Sequence, residues 1–237
     1  MAEIVEDSHF RNRIHVFEDR AHAGELLAGK LQAYTGTLDT WILAIPAGGV
    51  PVAAVVSQKL TVPLDLVVTR KLHVPWNREV GFGAMSWDGT LVLNTPLIAS
   101  LGLSMAEVTR CVGEEKEVIR RRVKRFRGDK PFPDLKAKTV ILVDDGLASG
   151  FSMLATLKTI ESLGVKERIV AVPTASISAI ALIQSTADRI ICLNIRSGPV
   201  FAVADAYKEW HDLEDEDILR VLQQAEWNQS TDSSNQR

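Results

Sequence analysis

Two patterns of apolar residues alternate along this chain. Short, mostly apolar runs recur at residues 39–46, 64–69, 140–143, 169–173 and 188–193. Each has the length of a strand and is rich in Val, Ile and Leu, as a parallel strand buried on both faces must be. Between these runs the spacing turns helical. Residues 17–31 place Ala23, Leu26, Leu27 and Leu31 on one face behind Glu18, Asp19 and Arg20, which predicts an amphipathic helix with acid at the favourable end. Further helices are predicted over 52–60, from Ser104 to about residue 126, from Phe151 through Leu154, Leu157 and Ile160, over 176–184 and over 214–227. Ser104 stands three residues before Glu107, the spacing of a capping box. Strands alternating with helices predict an α/β fold, a Rossmann-like parallel sheet flanked by helices with right-handed crossovers.

Two stretches break the alternation. Residues 72–90 are rich in Gly, Pro and polar side chains, and Asp88-Gly89 before the apolar 91–93 predicts a hairpin. An insertion of that length without helical spacing suggests a lid loop; His73, Arg78 and Glu79 lie in it, and His73 could equally be a surface turn residue. Residues 194–213 are irregular and aromatic, with Phe201, Tyr207 and Trp210, and residues 228–237 form a polar tail expected to fray. No repeat and no linker divides the 237 residues, so a single domain over 1–237 is expected.

Composition narrows the class. The chain is 46% hydrophobic and 24% charged, which is ordinary for a globular protein. A formal net charge of −3 argues against non-specific nucleic-acid binding as its main activity. Arg120, Arg121, Arg122, Lys124, Arg125 and Arg127 do gather late on one helix, behind Glu114, Glu115 and Glu117. Acid early and base late suits the helix dipole, so a solvated or oligomer-forming face is the first reading and an RNA patch the second. Cys111 and Cys192 are too few for a disulfide framework or a zinc site. The acidic N-terminus lacks a signal-peptide pattern and no apolar run reaches membrane-spanning length, so a soluble, cytoplasmic protein is expected.

The most informative stretch is 140–153, Val-Ile-Leu-Val-Asp-Asp-Gly-Leu-Ala-Ser-Gly-Phe-Ser-Met. A buried strand ends in two carboxylates, Asp144 and Asp145, and a small-residue loop then opens a helix. Such a loop presents backbone N–H groups, Ser149 and Ser152 add hydroxyls, and the helix N-terminus favours an anion. Carboxylates beside a phosphate cradle need something else to bind, either sugar hydroxyls or a metal that also holds the phosphates. The combination suggests a phosphorylated sugar. Two more stretches add to it. Pro46-Ala-Gly-Gly-Val-Pro51 follows a strand and precedes a helix, so Ala47, Gly48 and Gly49 form a second candidate anion loop, or else a plain β–α turn. Arg70 and Lys71 stand where another strand ends, as paired cations suited to a pyrophosphate or as a solvated pair.

Residues 140–153 resemble the ribose-5-phosphate loop of the type I phosphoribosyltransferases, and most of the chain resembles a group of predicted phosphoribosyltransferases of unassigned acceptor. The resemblance implies 5-phosphoribosyl-1-pyrophosphate (PRPP) as substrate, Mg²⁺ as cofactor and a nitrogenous acceptor, with pyrophosphate leaving through an oxocarbenium-like transition state. Asp144 and Asp145 would meet the ribose hydroxyls and the metal. The 5′-phosphate would lie on Gly146, Leu147, Ala148, Ser149, Gly150, Phe151 and Ser152. The loop Ala47, Gly48 and Gly49, often with a strained or cis peptide in this family, would hold pyrophosphate with Arg70 and Lys71. Relatives often carry Arg where this chain has Ala47. A C-terminal hood over about 194–213 would receive the acceptor, with Phe201 and Tyr207 stacking and Asp205 reading polar groups. The hypoxanthine–guanine branch keeps an Asp where Ala148 stands, so a general base would come from Glu79 in the lid or Asp205 in the hood. Homodimers are common among such enzymes.

Two other readings stay open at this level. The same fold could sense PRPP or a nucleotide and regulate a partner, which Ala47 and the basic helix suggest. A different α/β enzyme or receiver-like domain could use Asp144 or Asp145 as a phosphate acceptor.

Overall fold

The structure, a computed structural model, describes residues 1–225 apart from the side chains of Arg78 and Glu79. The expected tail at 228–237 and the last residues of the expected terminal helix lie outside the described residues.

Four apolar runs form the middle of a six-stranded sheet: β2 (Thr40–Ala44), β7 (Thr139–Val143), β8 (Glu167–Ser176) and β9 (Arg189–Arg196). All the pairings are parallel, in the order β1-β9-β8-β7-β2-β3, with β1 (Glu3–Glu6) and β3 (Leu64–Leu66) at the edges. Alternate residues of the inner strands feed two separate cores. Ile42, Ile141, Val143, Ile169 and Ile191 pack on one side, while Leu43, Val140, Leu142, Val170 and Cys192 pack on the other. A strand that must fill a core on each face has no place for polar alternation, which is why these runs are continuously apolar. Helices α1 (Arg20–Lys30) and α2 (Gly49–Leu60) cover the first face, and α5 (Phe151–Ser162) and α6 (Ile177–Ile183) the second.

Several boundaries differ from the sequence expectation. The helix expected over 17–31 begins at Arg20, because the Asp19 side chain caps it by accepting from the His22 N–H at 2.8 Å. Phe17 and Glu18 instead run alongside the hood: Phe17 N–H donates to the Ala206 carbonyl and Lys208 N–H to that of Phe17. The strand expected over 64–69 is divided. Its first part is β3, and the chain then leaves the main sheet to form β4 (Thr69–Val74). Residues 72–90 are therefore not an irregular loop. Together with β5 (Asn77–Ser86) and β6 (Leu91–Leu93), β4 forms an antiparallel three-stranded sheet. The turn at Asp88-Gly89 is where the dipeptide predicts it, with Gly89 at φ +93°. Edge strand β1 and the short helix α3 (Thr95–Ser100) were not legible, and the irregular stretch starts later than 194 because β9 continues to Arg196.

Helix α4 (Met105–Arg127) has the expected capping box: Glu107 N–H donates to Ser104 Oγ at 3.3 Å and Ser104 N–H to Glu107 Oε2 at 2.8 Å. Its last residue, Arg127, turns inward and pairs with Asp65 on β3, both side chains being almost fully buried. The expected terminal helix is α7 (Asp215–Gln224), whose acidic first turn meets Arg122 and Arg125 of α4.

Candidate active site

The chain runs outward from β2 to β3 in one direction and from β7 through β8 to β9 in the other. The carboxyl ends of β2 and β7 therefore flank the topological switch point, where open parallel sheets leave a crevice. A cleft of about 760 Å³ opens there. It is lined by the β2 loop (Pro46, Ala47, Gly48), by the β7 loop with Asp144, Asp145 and Ser149, by Arg70 and Lys71, and by the hood. The Pro46–Ala47 peptide bond is cis.

The β7 loop is suspended from β8. Leu147 N–H donates to the Thr174 carbonyl at 2.9 Å, Ser176 N–H donates to the Leu147 carbonyl at 2.9 Å, and Ser176 Oγ donates to the Ala148 carbonyl at 2.6 Å. Leu147 is thereby committed to the fold on both sides of its peptide, with its side chain buried. Its expected place among phosphate-facing amides is corrected on this ground. Among the described residues no backbone carbonyl takes the amides of Ala148, Ser149, Gly150, Phe151 or Ser152. The last two open α5 after its N-cap Gly150 and are unused donors of a helix N-terminus, and the other three belong to the loop before it, together in position for an anion. The Phe151 ring packs on the second core and does not line the cleft. Gly49 also differs from expectation: its N–H donates to the Ile45 carbonyl at 3.1 Å and it does not line the cleft. In the β2 loop, Ala47 and Gly48 remain at the cleft wall.

Asp144 and Asp145 sit side by side at its floor. Asp144 Oδ1 accepts from Asp145 N–H at 2.9 Å. Asp145 Oδ2 accepts from Arg20 Nε at 2.9 Å. Burial lifts the Asp144 carboxyl well above the usual carboxylate range, and the neighbouring Asp145 charge adds to the rise. Burial raises Asp145 as well, but the Arg20 guanidinium opposes the shift. Two adjoining acids with so little water would discharge each other unless a cation or donors joined them. Lys71 draws Asp144 the other way, and among the described residues it forms no ion pair, whereas Arg70 pairs with Glu115 at 3.0 Å.

The hood residues divide. Phe201 lines the cleft, with the Arg196 guanidinium 5.1 Å from its ring centre. Asp205 does not: both terminal nitrogens of Arg196 hold its Oδ2 at 3.2 Å, away from the cleft. Tyr207 is buried, packed on Phe17 and Trp210, and its hydroxyl donates to the Asp145 carbonyl at 2.6 Å. A ring enclosed in this way cannot stack on a ligand, so that expectation for Tyr207 is corrected. Trp210, Val203 and Asp212 line the hood side in its place. Val203 comes so near the β7 loop that a Cβ on Gly146 would lie 2.6 Å from its Cγ1. Glu79 remains an expectation, since its side chain lies outside the described ones.

Sequence reading missed Arg20, Arg122 and Trp210 at this cleft. The signal for Arg20 was faint: an arginine in the first turn of a helix opposes the dipole, and a compensating partner is then worth seeking. No group of three or more His, Cys, Asp or Glu able to hold a metal is found among the described residues, nor is any helix long and apolar enough to cross a membrane.

Comparison with known proteins agrees with this geometry. Residues 17–210 match the profile of the phosphoribosyl transferase domain. A Mycobacterium tuberculosis protein provisionally named a phosphoribosyl transferase (Rv0571c in strain H37Rv, MT0597 in strain CDC 1551) is 32% identical over 210 residues, 89% of this chain and 47% of that protein. The chain thus spans about half the length of the curated relatives it matches. The crystal structure of TT1426 from Thermus thermophilus is similar, with a TM-score of 0.70 and 34% identity over 88% of this chain and 98% of that one. With the match running from the segment before α1 into the hood, the chain belongs to the phosphoribosyl transferase domain family and has the type I phosphoribosyltransferase fold.

Proposed function

We propose that this chain transfers ribose 5-phosphate from PRPP to a nitrogen nucleophile, a nucleobase in the simplest case, and releases pyrophosphate. The observation that carries the reading is the placement of Asp144 and Asp145 between two anion-ready loops at the switch point. In this reading the amides of residues 148–152 and the N-terminus of α5 hold the 5′-phosphate. The acidic pair receives the ribose hydroxyls and offsets positive charge that develops on the ring as the bond to pyrophosphate breaks. Ala47, Gly48, Lys71 and Arg70 neutralise the departing pyrophosphate. Phe201, Val203 and Trp210 hold the acceptor against the opposite face and keep water from C1′. Asp212 lines the cleft and replaces Asp205 as the hood carboxylate able to accept a proton.

The donor set fits Mg²⁺. This ion keeps several waters and takes one or two carboxylates plus phosphate oxygens, and two adjacent carboxylates without a third protein ligand match that habit. Asp144 and Asp145 would hold it, and bound there it would supply positive charge to the pyrophosphate and ribose oxygens. Buried, unpaired Cys111 and Cys192 favour a reducing, cytoplasmic setting.

A second reading, a PRPP or nucleotide sensor, is favoured by one residue. Ala47 supplies backbone to the pyrophosphate wall but no cation. Calorimetric titration of PRPP with and without Mg²⁺, followed by a screen of bases for pyrophosphate release, separates the two. Saturable Mg²⁺-dependent binding with release supports transfer, binding without release for any base supports the sensor, and no binding refutes both.

A further inference from the structure

Arg20 is the first residue of α1, and the segment just before it is paired with the hood along residues 205–209. We propose that Arg20 is a positioning residue that latches the hood to Asp145, so that the ribose-side carboxylate and the Trp210 wall of the acceptor side move as one unit. The ligand rests on the phosphoribosyl-transfer reading; the latch itself does not.

Three contacts converge on one guanidinium. Nε donates to Asp145 Oδ2 at 2.9 Å, Nη1 donates to the His211 carbonyl at 3.0 Å, and the group lies 3.9 Å from the centre of the Trp210 ring. A planar fork with donors on separate edges and a face for stacking can make all three; an ammonium on a flexible stem cannot. The Arg20 and Asp145 side chains are only 8% and 13% exposed, so water and salt screen the pair weakly. Opening one contact would leave a buried charge short of a partner, which makes the cluster close and open as a whole.

A second tie joins the same two segments. Tyr207 Oη donates to the Asp145 carbonyl, so the hood holds the main chain of Asp145 directly and its side chain through Arg20. Asp145 Oδ2 is therefore oriented by protein, and Asp145 lines the cleft. A ligand that engages Asp145 acts on Trp210 through a single intervening side chain.

The test uses the full chain with Arg20→Gln and Arg20→Lys. In ligand-free protein, hydrogen exchange over residues 206–213 and 145–147 is expected to rise about tenfold or more in Arg20→Gln, as loss of a charge-assisted bond implies. Exchange in the inner strands should stay unchanged, and Arg20→Lys should restore part of the protection. Calorimetry with PRPP and Mg²⁺ should show a matching loss of affinity in Arg20→Gln and partial rescue in Arg20→Lys. Unchanged hood exchange in Arg20→Gln overturns the latch. An equal rise across the inner strands in both variants also overturns it, because Arg20 then serves general stability. If wild-type protein binds no PRPP while Arg20→Gln still loosens the hood, the latch stands and the assigned ligand falls.

Discussion

Gly48 and Asp145 meet at the floor of the cleft so closely that a Cβ on Gly48 would fall 1.8 Å from Asp145 Oδ2. The oxygen in question is the one Arg20 holds, so it cannot swing aside without breaking that pair. Gly48→Ala should therefore displace Asp145, lower stability by about 1–3 kcal/mol as overpacking does, and abolish PRPP binding. Calorimetry and thermal melting check both effects. Wild-type PRPP affinity in Gly48→Ala would disprove the close packing of the two loops.

A glycine elsewhere should behave in the opposite way. Gly113 lies inside α4 with nothing within 4 Å of the position its Cβ would take. Gly113→Ala is expected to raise stability by about 1 kcal/mol through helix propensity alone. The denaturation midpoint should move up with PRPP affinity unchanged.

Replacing both cleft acids should separate function from folding. Asp144→Asn with Asp145→Asn keeps the shape and removes two adjoining buried charges whose carboxyls burial already pushes upward. PRPP binding is expected to vanish while the chain still folds cooperatively, at a lower melting temperature because the buried Arg20 guanidinium loses its charged partner. A collapsed fold in the double variant would show that the charges hold the loop together, against the ligand-binding account.

Away from the cleft, Arg127 pairs with fully buried Asp65 and also donates to the Pro131 carbonyl at 2.6 Å. Arg127→Met should destabilise by about 3–5 kcal/mol, because it strands a buried carboxylate. Adding Asp65→Leu should recover much of that loss in chemical denaturation. Additive losses would argue that the two side chains act separately.

Cys192 offers a pH signature. Burial in the second core pushes its thiol up to about 12 from an ordinary value of 9.0. A group whose folded value is raised contributes stability that is intact below the unfolded value and is lost as pH rises through the folded one. Stability should therefore begin to fall above pH 9, and Cys192→Ala should flatten that slope although it lowers stability at neutral pH. A thiol reagent at about pH 8 should label Cys192 only as fast as the protein unfolds.

The sequence was readable wherever function and fold draw on neighbouring residues. The acidic pair, the small-residue loop and the start of α5 occupy one continuous stretch, so strand, turn and helix signals add up there. The capping box of Ser104 and Glu107 was legible for the same reason. Tyr207 and Asp205 were misplaced because an irregular aromatic stretch has no periodicity to say which side chain faces inward. The short strand β1, with two glutamates among four residues, carries no run long enough to stand out.

What the sequence alone determined is the alternation of the inner strands with their helices and the small-residue loop after β7, since each follows from local spacing and the backbone preferences of nearby residues. The tertiary structure decided which distant residues complete the cleft. Arg20 reaches Asp145 across 125 positions, and Tyr207 reaches the same residue across 62. Contacts of that kind leave no periodic trace, because burial and charge pairing reward closeness in space whatever the separation along the chain.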